Sequence, residues 1–156
     1  AQGPARELLP GILSSGPVSD NDDLEAWEEF KQLYRDYYGD EGLPSPSLFA
    51  SNYYTNTKAA LLALQEVEGD LSDNHAAFNE ALANLEFTSP TGTVSLNENR
   101  QATAAIYINE VVEQDDGSLA LEPMERIESV DQYLGLERET YMELGLPSRE
   151  NPSCPS

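Results

Sequence analysis

The chain has 156 residues, enough for one domain with a modest hydrophobic core. Its 29 acidic and 8 basic residues give a formal net charge of −21, which repels nucleic acid and anionic membranes. Nucleic acid is therefore not an expected partner, and no apolar run approaches the roughly 18 residues of a membrane-spanning helix.

The acidic residues allow two interpretations. They form either an acidic ligand trap or calcium module, or a hydrated surface in a protein from a salty habitat. We favour the hydrated surface, because the acids are spread along the chain rather than clustered. The segment Asp20–Asp23 begins like a calcium-binding loop, but Lys31 stands where such a loop ends in Glu. We therefore predict that Asp20–Asp23 caps the start of a helix.

The first half of the chain predicts a strand followed by two helices. A short strand covers Gly11–Gly16, and apolar residues at helical spacing predict a helix over Asp23–Tyr38. A loop rich in Gly and Pro, Gly39–Pro46, leads to a second helix over Leu48–Val67. The run Ala59–Leu64 within it is almost entirely apolar, which predicts a buried helix.

The second half predicts a third helix, an antiparallel sheet and a short last helix. The third helix covers Ser72–Leu85. Thr93–Leu96 and Ala104–Val112 are predicted strands, the second of them rich in β-branched residues. A further strand is predicted over Leu119–Ile127 and a short helix around Glu137–Leu144, and the rest is a tail rich in Pro and Ser. Polar turns punctuate these strands at Pro90–Gly92, Asn97–Asn99 and Asp115–Gly117.

The residue types that usually carry catalysis or hold metals are scarce. Cys154 is the single cysteine and His75 the single histidine, so no zinc-binding set can form. His75 follows a helix-start signal, which predicts a surface residue in a first helical turn. We find no nucleophile elbow, phosphate-binding loop or dinucleotide-binding fingerprint, and we predict no catalytic residue and no cofactor.

Several motifs in order resemble the periplasmic solute-binding proteins of branched-chain amino acid, amide and urea importers. The first resembling stretch runs from Leu85 to Gly117, LEFTSPTGTVSLNENRQATAAIYINEVVEQDDG. The second is the strand that ends in Gly16-Pro17, followed by an F-x-x-x-Y-x-x-x-Y-G-like segment, a loop with Pro, and an apolar helix in which Tyr54 occupies the place of the family's tyrosine. Tyr54 is followed by Thr55-Asn56 where the family has Asp-Ala. The endings around Val130–Gly135 and Pro147–Pro152 are similar to those of some members.

The resemblance implies an α/β fold, namely part of a two-lobed, type 1 periplasmic-binding-protein-like fold. Helices would pack on a sheet with a C-terminal β-hairpin, and the lobes would close on a solute about a hinge. Residues 1–156 would form the C-terminal portion. Within it, residues 1–20 would be a strand and lobe crossover, 21–86 the helical part of one lobe, 87–128 the C-terminal strands, and 129–156 a tail.

The same resemblance implies a binding protein and not an enzyme. The expected partners are a small solute, amino-acid-like or amide-like, and the membrane permease subunits of an ABC importer. The expected location is periplasmic or extracellular with a membrane anchor, the export signal lying upstream of this chain.

The resemblance also points to ligand-binding residues at the start of the second helix. In amino-acid-binding members an aromatic residue just before the apolar helix packs near the ligand, and Phe49 matches that position. Asn52 and Tyr53 would add polar groups beside it, with Ser51 nearby. The competing interpretation is that Phe49 and Tyr53, four residues apart, form one face of a helix packed on the core.

Three further functions stay open. One is a ligand sensor of the same fold, and another is an interaction domain without a ligand. The third is an acidic enzyme, which would need a carboxylate pair with perturbed pKa values in a cleft. The sequence selects no such pair, so this last function ranks lowest.

Overall fold

The computed structural model describes residues 6–133 and 135–145. The predicted motif Pro147–Pro152 and Cys154 lie outside these residues. The described strands are β1 Leu13–Gly16, β2 Glu86–Ser89, β3 Gly92–Leu96, β4 Ala102–Glu113 and β5 Leu119–Val130. The helices are α1 Glu25–Tyr38, α2 Leu48–Glu66, α3 Ala76–Ala83 and α4 Arg138–Glu143, with 3₁₀ turns at Arg6–Leu8 and Gly39–Glu41.

The strands form one antiparallel sheet organised around β4. β5 pairs with β4 along most of its length, from Ala104 opposite Val130 to Glu113 opposite Leu119. β1 pairs with the later part of β4, and β3 pairs with its first two residues. The ladder between β4 and β5 shifts register twice, between Ala104 and Ile106 and between Ile108 and Asn109. β4 is therefore shared by two parts of the sheet, and the first of these shifts lies between its pairings with β3 and β1.

Alternate residues of β4 are buried on one side, as the period of a strand requires. Ala105, Tyr107 and Asn109 are each at most 1% exposed. Trp27 of α1 is also fully buried, and its indole nitrogen donates a hydrogen bond to the Asp20 carbonyl at 3.2 Å. The most buried side chains thus lie in the middle of β4 and near the start of α1.

The segment Val18–Asp22 is tied to β4 and β5 by side-chain hydrogen bonds. Asn109 donates its amide to the Val18 carbonyl at 3.0 Å, and the Ser19 hydroxyl donates to the Leu121 carbonyl at 3.0 Å. The Asp20 carboxylate accepts the Leu121 N–H at 2.8 Å. These bonds hold the segment between β1 and α1 against the sheet.

The prediction that Asp20–Asp23 caps α1 is wrong. The helix begins at Glu25, and its N-cap residue, Leu24, makes no side-chain capping hydrogen bond. Two of the acids that precede it, Asp20 and Asp22, instead bond to groups of the sheet. Two acids do lie in the first turn, Glu25 and Glu28, as expected for the positive end of a helix dipole.

Three other expectations need correction. α2 is only partly buried, because Ser51 and Ala63 are its buried residues whereas Leu61 is 59% exposed. α3 begins at Ala76 rather than Ser72, since Asn74 and His75 have positive φ angles of 60° and 66°. β2 was not expected, because four residues are too few to show a periodic pattern, and it begins where the predicted helical part ends.

None of the helices within the described residues is long and apolar enough to cross a membrane.

Candidate functional site

The first turns of α2 carry the predicted site residues. Ser47 starts the helix as its N-cap, and its hydroxyl accepts the Ala50 N–H at 3.3 Å. Such a bond satisfies one of the free N–H groups at a helix start, which fixes the direction of the following turns. The local sequence therefore places Phe49, Asn52 and Tyr53 on a well-defined helical end.

These three side chains all face outwards. Phe49 is 71% exposed, Tyr53 is 74% exposed, and Asn52 is also exposed. Phe49 and Tyr53 are four residues apart and so share one side of the helix. Among the described residues, this side of the helix does not pack on the core. Ser51, expected nearby as a polar group, is buried instead at 3% exposure.

An apolar groove lies between α1 and α2 beside these residues. We call it the aromatic groove; its volume is about 760 Å³. Its aromatic lining consists of Phe30, Tyr34, Tyr37, Tyr38, Tyr53 and Tyr54. Tyr53 connects the predicted site to the groove, whereas Phe49 and Asn52 are not among the lining residues.

The aromatic rings in the groove pack against each other in pairs. Phe30 of α1 and Tyr54 of α2 meet with ring centroids 4.8 Å apart, which joins the two helices. Tyr34 and Tyr38 are 4.7 Å apart, and Tyr37 meets Tyr38 edge to face at 4.8 Å. Tilted and edge-to-face geometries are the favourable ones for aromatic pairs. Tyr34 and Tyr38 are four residues apart in the sequence, a spacing that indicates one side of a helix. No role in binding was predicted for these residues.

A polar cluster lies at the centre of the sheet, and it was not predicted from the sequence. The Tyr107 hydroxyl donates a hydrogen bond to the Asp22 carboxylate, and both residues are buried. The guanidinium of Arg126 lies 5.7 Å from the Tyr107 ring centroid and donates to the Thr91 carbonyl at 2.9 Å. Burial is the main reason that the pKa of Tyr107 is raised, and the hydrogen bond to Asp22 raises it further. Tyr107 therefore stays protonated and acts as a structural donor.

Within the described part of the chain, no group of three or more His, Cys, Asp or Glu side chains is placed to hold a metal ion.

A match to a protein-family model shows which family this chain belongs to. The family model described as "Periplasmic binding protein" matches residues 1–118, about three quarters of the chain. The chain belongs to the periplasmic binding protein family. The predicted resemblance is thereby confirmed, and membership of this family implies an extracytoplasmic location. The comparison with curated proteins found no match.

Solved structures show the same fold for this periplasmic binding protein. An ABC transporter substrate-binding protein from Sphaerobacter thermophilus is 26% identical with a TM-score of 0.72, over 79% of this chain and 32% of that one. A solute binding protein from Rhodopseudomonas palustris BisB5, in complex with 3,4-dihydroxybenzoic acid, is 22% identical with a TM-score of 0.71, over 84% and 34%. A leucine-, isoleucine-, valine-, threonine- and alanine-binding protein from Brucella ovis is 20% identical with a TM-score of 0.65, over 83% and 36%.

These comparisons confirm the predicted α/β fold of the type 1 periplasmic binding proteins. They also confirm the prediction of a family of binding proteins rather than enzymes, because the family is described as periplasmic binding proteins and these neighbours as substrate-binding, solute binding and amino-acid-binding proteins. The periplasmic binding protein described here spans about a third of the length of the solved structures that it matches.

Proposed function

We propose that this chain is the C-terminal portion of the extracytoplasmic solute-binding component of an ABC importer. The component binds a small polar solute between two lobes, which close about a hinge, and then docks on membrane permease subunits. Within the chain, residues 1–20 form a strand and lobe crossover, 21–86 the helical part of one lobe, 87–128 the C-terminal strands, and 129–156 the tail.

The observation that carries the proposal is the exposed cluster at the start of α2. Phe49 and Tyr53 present aromatic surface, and Asn52 presents an amide that can both donate and accept hydrogen bonds. Small-solute sites combine an apolar wall with a few such polar groups. Because this helical end is held by its N-cap and little covers the three side chains, they are suited to form one wall of a cleft whose other wall comes from outside residues 1–156.

The sheet supports the hinged part of the proposal. β1 pairs with Tyr107–Glu110 of β4, whereas β3 pairs with Ala102 and Thr103. The register shift between Ala104 and Ile106 separates these two pairings. A strand that is shared by two parts of a sheet and irregular between them is a reasonable place for one part to rotate relative to the other.

The solute class is the finer part of the proposal. A branched-chain amino acid, amide or urea is the class that the sequence suggests. The solved neighbours bind benzoates in some cases and branched-chain amino acids in others. The shared chemistry is a small molecule with a carboxylate or amide at one end, and an exposed Phe beside an Asn suits such a molecule with an apolar side.

The test is a thermal melt of the intact gene product in low and high salt. Leucine, a short amide, urea and 4-hydroxybenzoate are added separately. A solute present at a hundred times its dissociation constant stabilises the protein by about 2.7 kcal/mol, which shifts the melting temperature measurably. A shift with one of these solutes supports the proposal and names its class. Unchanged melting with all four would overturn the solute assignment and favour a sensor for another ligand or an interaction domain.

A further inference from the structure

The turn between β2 and β3, residues 88–92, is held by basic side chains from two different elements. The Lys58 ammonium of α2 donates to the Thr88 carbonyl at 2.9 Å, and the Arg126 guanidinium of β5 donates to the Thr91 carbonyl at 2.9 Å. Hydrogen bonds from charged donors are stronger than those between neutral groups. The turn therefore joins α2 to β5 through two charge-assisted hydrogen bonds.

Aromatic rings lie beside both cations. The Lys58 ammonium is 5.9 Å from the ring centroids of Tyr54 and Phe87, and the Arg126 guanidinium is 5.7 Å from that of Tyr107. Both basic side chains are partly buried, where salt screens a charge less than it does on an exposed surface. The rings and the carbonyls together fix the position of each cation.

The turn has the shape that the guanidinium of Arg126 requires. The φ angle of Gly92 is 109°, and a methyl group at this position would overlap that guanidinium. At the other end of the turn, Ser89 is only 1% exposed, and its hydroxyl accepts the Thr91 N–H at 3.2 Å. The turn is therefore closed by its own hydrogen bond and leaves space for the cation that binds it.

Main-chain pairing attaches the β2–β3 hairpin to the rest of the sheet at its opposite end. β3 pairs with β4 through Ser95 and Leu96, which lie at the end of the hairpin away from the turn. Arg126 lies opposite Tyr107 in the ladder between β5 and β4. Its side chain therefore reaches from the β4–β5 part of the sheet to the far end of the hairpin.

The helix α2, which carries Lys58, also carries the proposed wall of the solute site. Phe49, Asn52 and Tyr53 lie on its first turns. Lys58 is nine residues from Phe49, a distance of about 13 Å at the helical rise of 1.5 Å per residue. Because a helix of this length is held by its own backbone hydrogen bonds, a contact that fixes Lys58 also fixes the direction of the proposed wall.

We propose that Lys58 and Arg126 are positioning residues that couple the orientation of α2 to that of β5 through the turn of residues 88–92. The inference rests on the proposed function, in which the start of α2 is one wall of the solute site and one part of the sheet rotates relative to the other. Each cation holds one carbonyl of the same turn. The two bonds thus act in series, and loss of either one breaks this connection.

The test measures the distance between α2 and β5 in the intact gene product, without added solute. In a Cys154→Ser background, spin labels on Asn56→Cys and Glu125→Cys, both at exposed positions, report this distance by pulsed electron paramagnetic resonance. Lys58→Met and Arg126→Met each remove the cation and keep an unbranched side chain. We expect each variant to broaden the distance distribution at least about twofold, because the turn no longer fixes α2 relative to β5.

Further variants distinguish coupling from a general loss of stability. If the two bonds act in series, the double variant should broaden the distribution no more than either single variant, whereas independent effects would add. Lys58→Arg and Arg126→Lys should keep the distribution narrow, because a cation of similar length can still donate to the same carbonyl. Arg35→Met is the control and should leave it unchanged, since Arg35 is exposed and bonds to Gln32 of its own helix at 3.4 Å.

Three results would overturn the proposal. An unchanged distribution in Lys58→Met or Arg126→Met would mean that the turn does not hold α2 relative to β5. Broadening that adds up in the double variant would mean that the two cations act independently. Equal broadening in Arg35→Met would mean that any loss of positive charge loosens the protein. If Arg126→Met does not fold, Gly92→Ala displaces the guanidinium from the other side and should broaden the distribution to the same degree.

Solute binding is a separate readout, so the two proposals can fail independently. A protein that binds a solute in the thermal melt but keeps a narrow distribution in the methionine variants retains its proposed function and loses only this inference. A protein that responds to none of the solutes but shows the expected broadening loses its solute assignment and retains the coupling.

Discussion

The Tyr107 hydroxyl donates a hydrogen bond to the Asp22 carboxylate inside the protein, where Tyr107 is fully buried and Asp22 is 5% exposed. The two residues are 85 positions apart in the chain. Their bond joins the centre of β4 to the segment that leads into α1. The buried carboxylate depends on this partner, because a buried charge without hydrogen bonds is strongly unfavourable.

Replacing Tyr107 with Phe should therefore destabilise the chain. Tyr107→Phe keeps the ring but leaves the Asp22 carboxylate without the hydroxyl, at an expected cost of about 1–3 kcal/mol in the free energy of unfolding. Urea unfolding measures it. Tyr133→Phe is the control, because the Tyr133 hydroxyl accepts a hydrogen bond from Asn99 at an exposed site. Equal losses of unfolding free energy in Tyr107→Phe and Tyr133→Phe would show that burial of the Tyr107 hydrogen bond does not add to its contribution.

The same pair predicts a dependence of stability on high pH. The pKa of Tyr107 in the folded protein is raised, mainly by burial, above its ordinary value of about 10. The stabilising contribution of the protonated hydroxyl is thus complete below about pH 10 and is lost as the pH rises further, because the unfolded chain releases the proton first. Unfolding measured between pH 7 and 11.5 should show the stability gap between the native protein and Tyr107→Phe narrowing above about pH 10. A gap that stays constant throughout would refute this linkage.

Gly92 should not tolerate a side chain. Its φ angle is 109°, and a methyl group there would overlap the guanidinium of Arg126. Gly92→Ala combines backbone strain with displacement of that guanidinium, so we expect a loss of about 1–3 kcal/mol. Gly16→Ala is the control, since no atom lies within 4 Å of the added methyl group and the φ angle of Gly16 is not positive. Thermal melts of both variants test the difference, and a Gly92→Ala protein as stable as Gly16→Ala would disprove it.

Asp73 should stabilise the start of α3. Its carboxylate oxygens accept the N–H groups of Ala76 and Ala77 at 2.9 and 2.8 Å. Removing this cap with Asp73→Ala should cost about 1 kcal/mol, whereas Asp73→Asn should retain most of the stability because its carbonyl oxygen can still accept a bond. Amide hydrogen exchange in α3 together with urea unfolding checks both variants. If Asn and Ala were equally destabilising, capping by the side-chain oxygen would not be the cause.

Phe49 should affect binding and leave folding unchanged. Because Phe49 is 71% exposed, Phe49→Ala should change the free energy of unfolding by no more than about 0.5 kcal/mol. If the ring lines the solute site, the affinity for the solute found in the melt should fall at least about tenfold, which corresponds to about 1.4 kcal/mol. Calorimetric titration of the intact gene product measures this. Met142→Ala is the control, because it removes an exposed side chain on a different helix, α4. This variant should bind the solute with unchanged affinity.

Much of the secondary structure could be predicted because its signals are local. The apolar residues at helical spacing placed α1 within two residues of its observed start, and two of them, Trp27 and Phe30, are buried. The predicted strand Ala104–Val112 lies inside β4. Alternation along a strand and periodicity along a helix depend on neighbouring residues only, so they are visible in the sequence.

Other features could not be predicted from the sequence, because they depend on contacts with residues far away along the chain. The acids of Asp20–Asp23 fit a helix cap by residue type, yet the Asp20 carboxylate accepts the N–H of Leu121, 101 residues away. β2 exists because Glu86–Ser89 pairs with Gly92–Ser95, and four residues carry no period of their own. The apolar run of α2 predicted a buried helix, but Leu61 is exposed because burial depends on which elements lie beside the helix.

The sequence by itself determined the periodicity of the helices and strands and the order of motifs that identifies a periplasmic binding protein. Only the tertiary structure decided that Phe49, Asn52 and Tyr53 face outwards beside an aromatic groove, and that Tyr107 holds Asp22 in the core. The physical reason is that propensity and motif order are properties of neighbouring residues, whereas burial and hydrogen-bond partners arise when β4 and the two long helices are brought together.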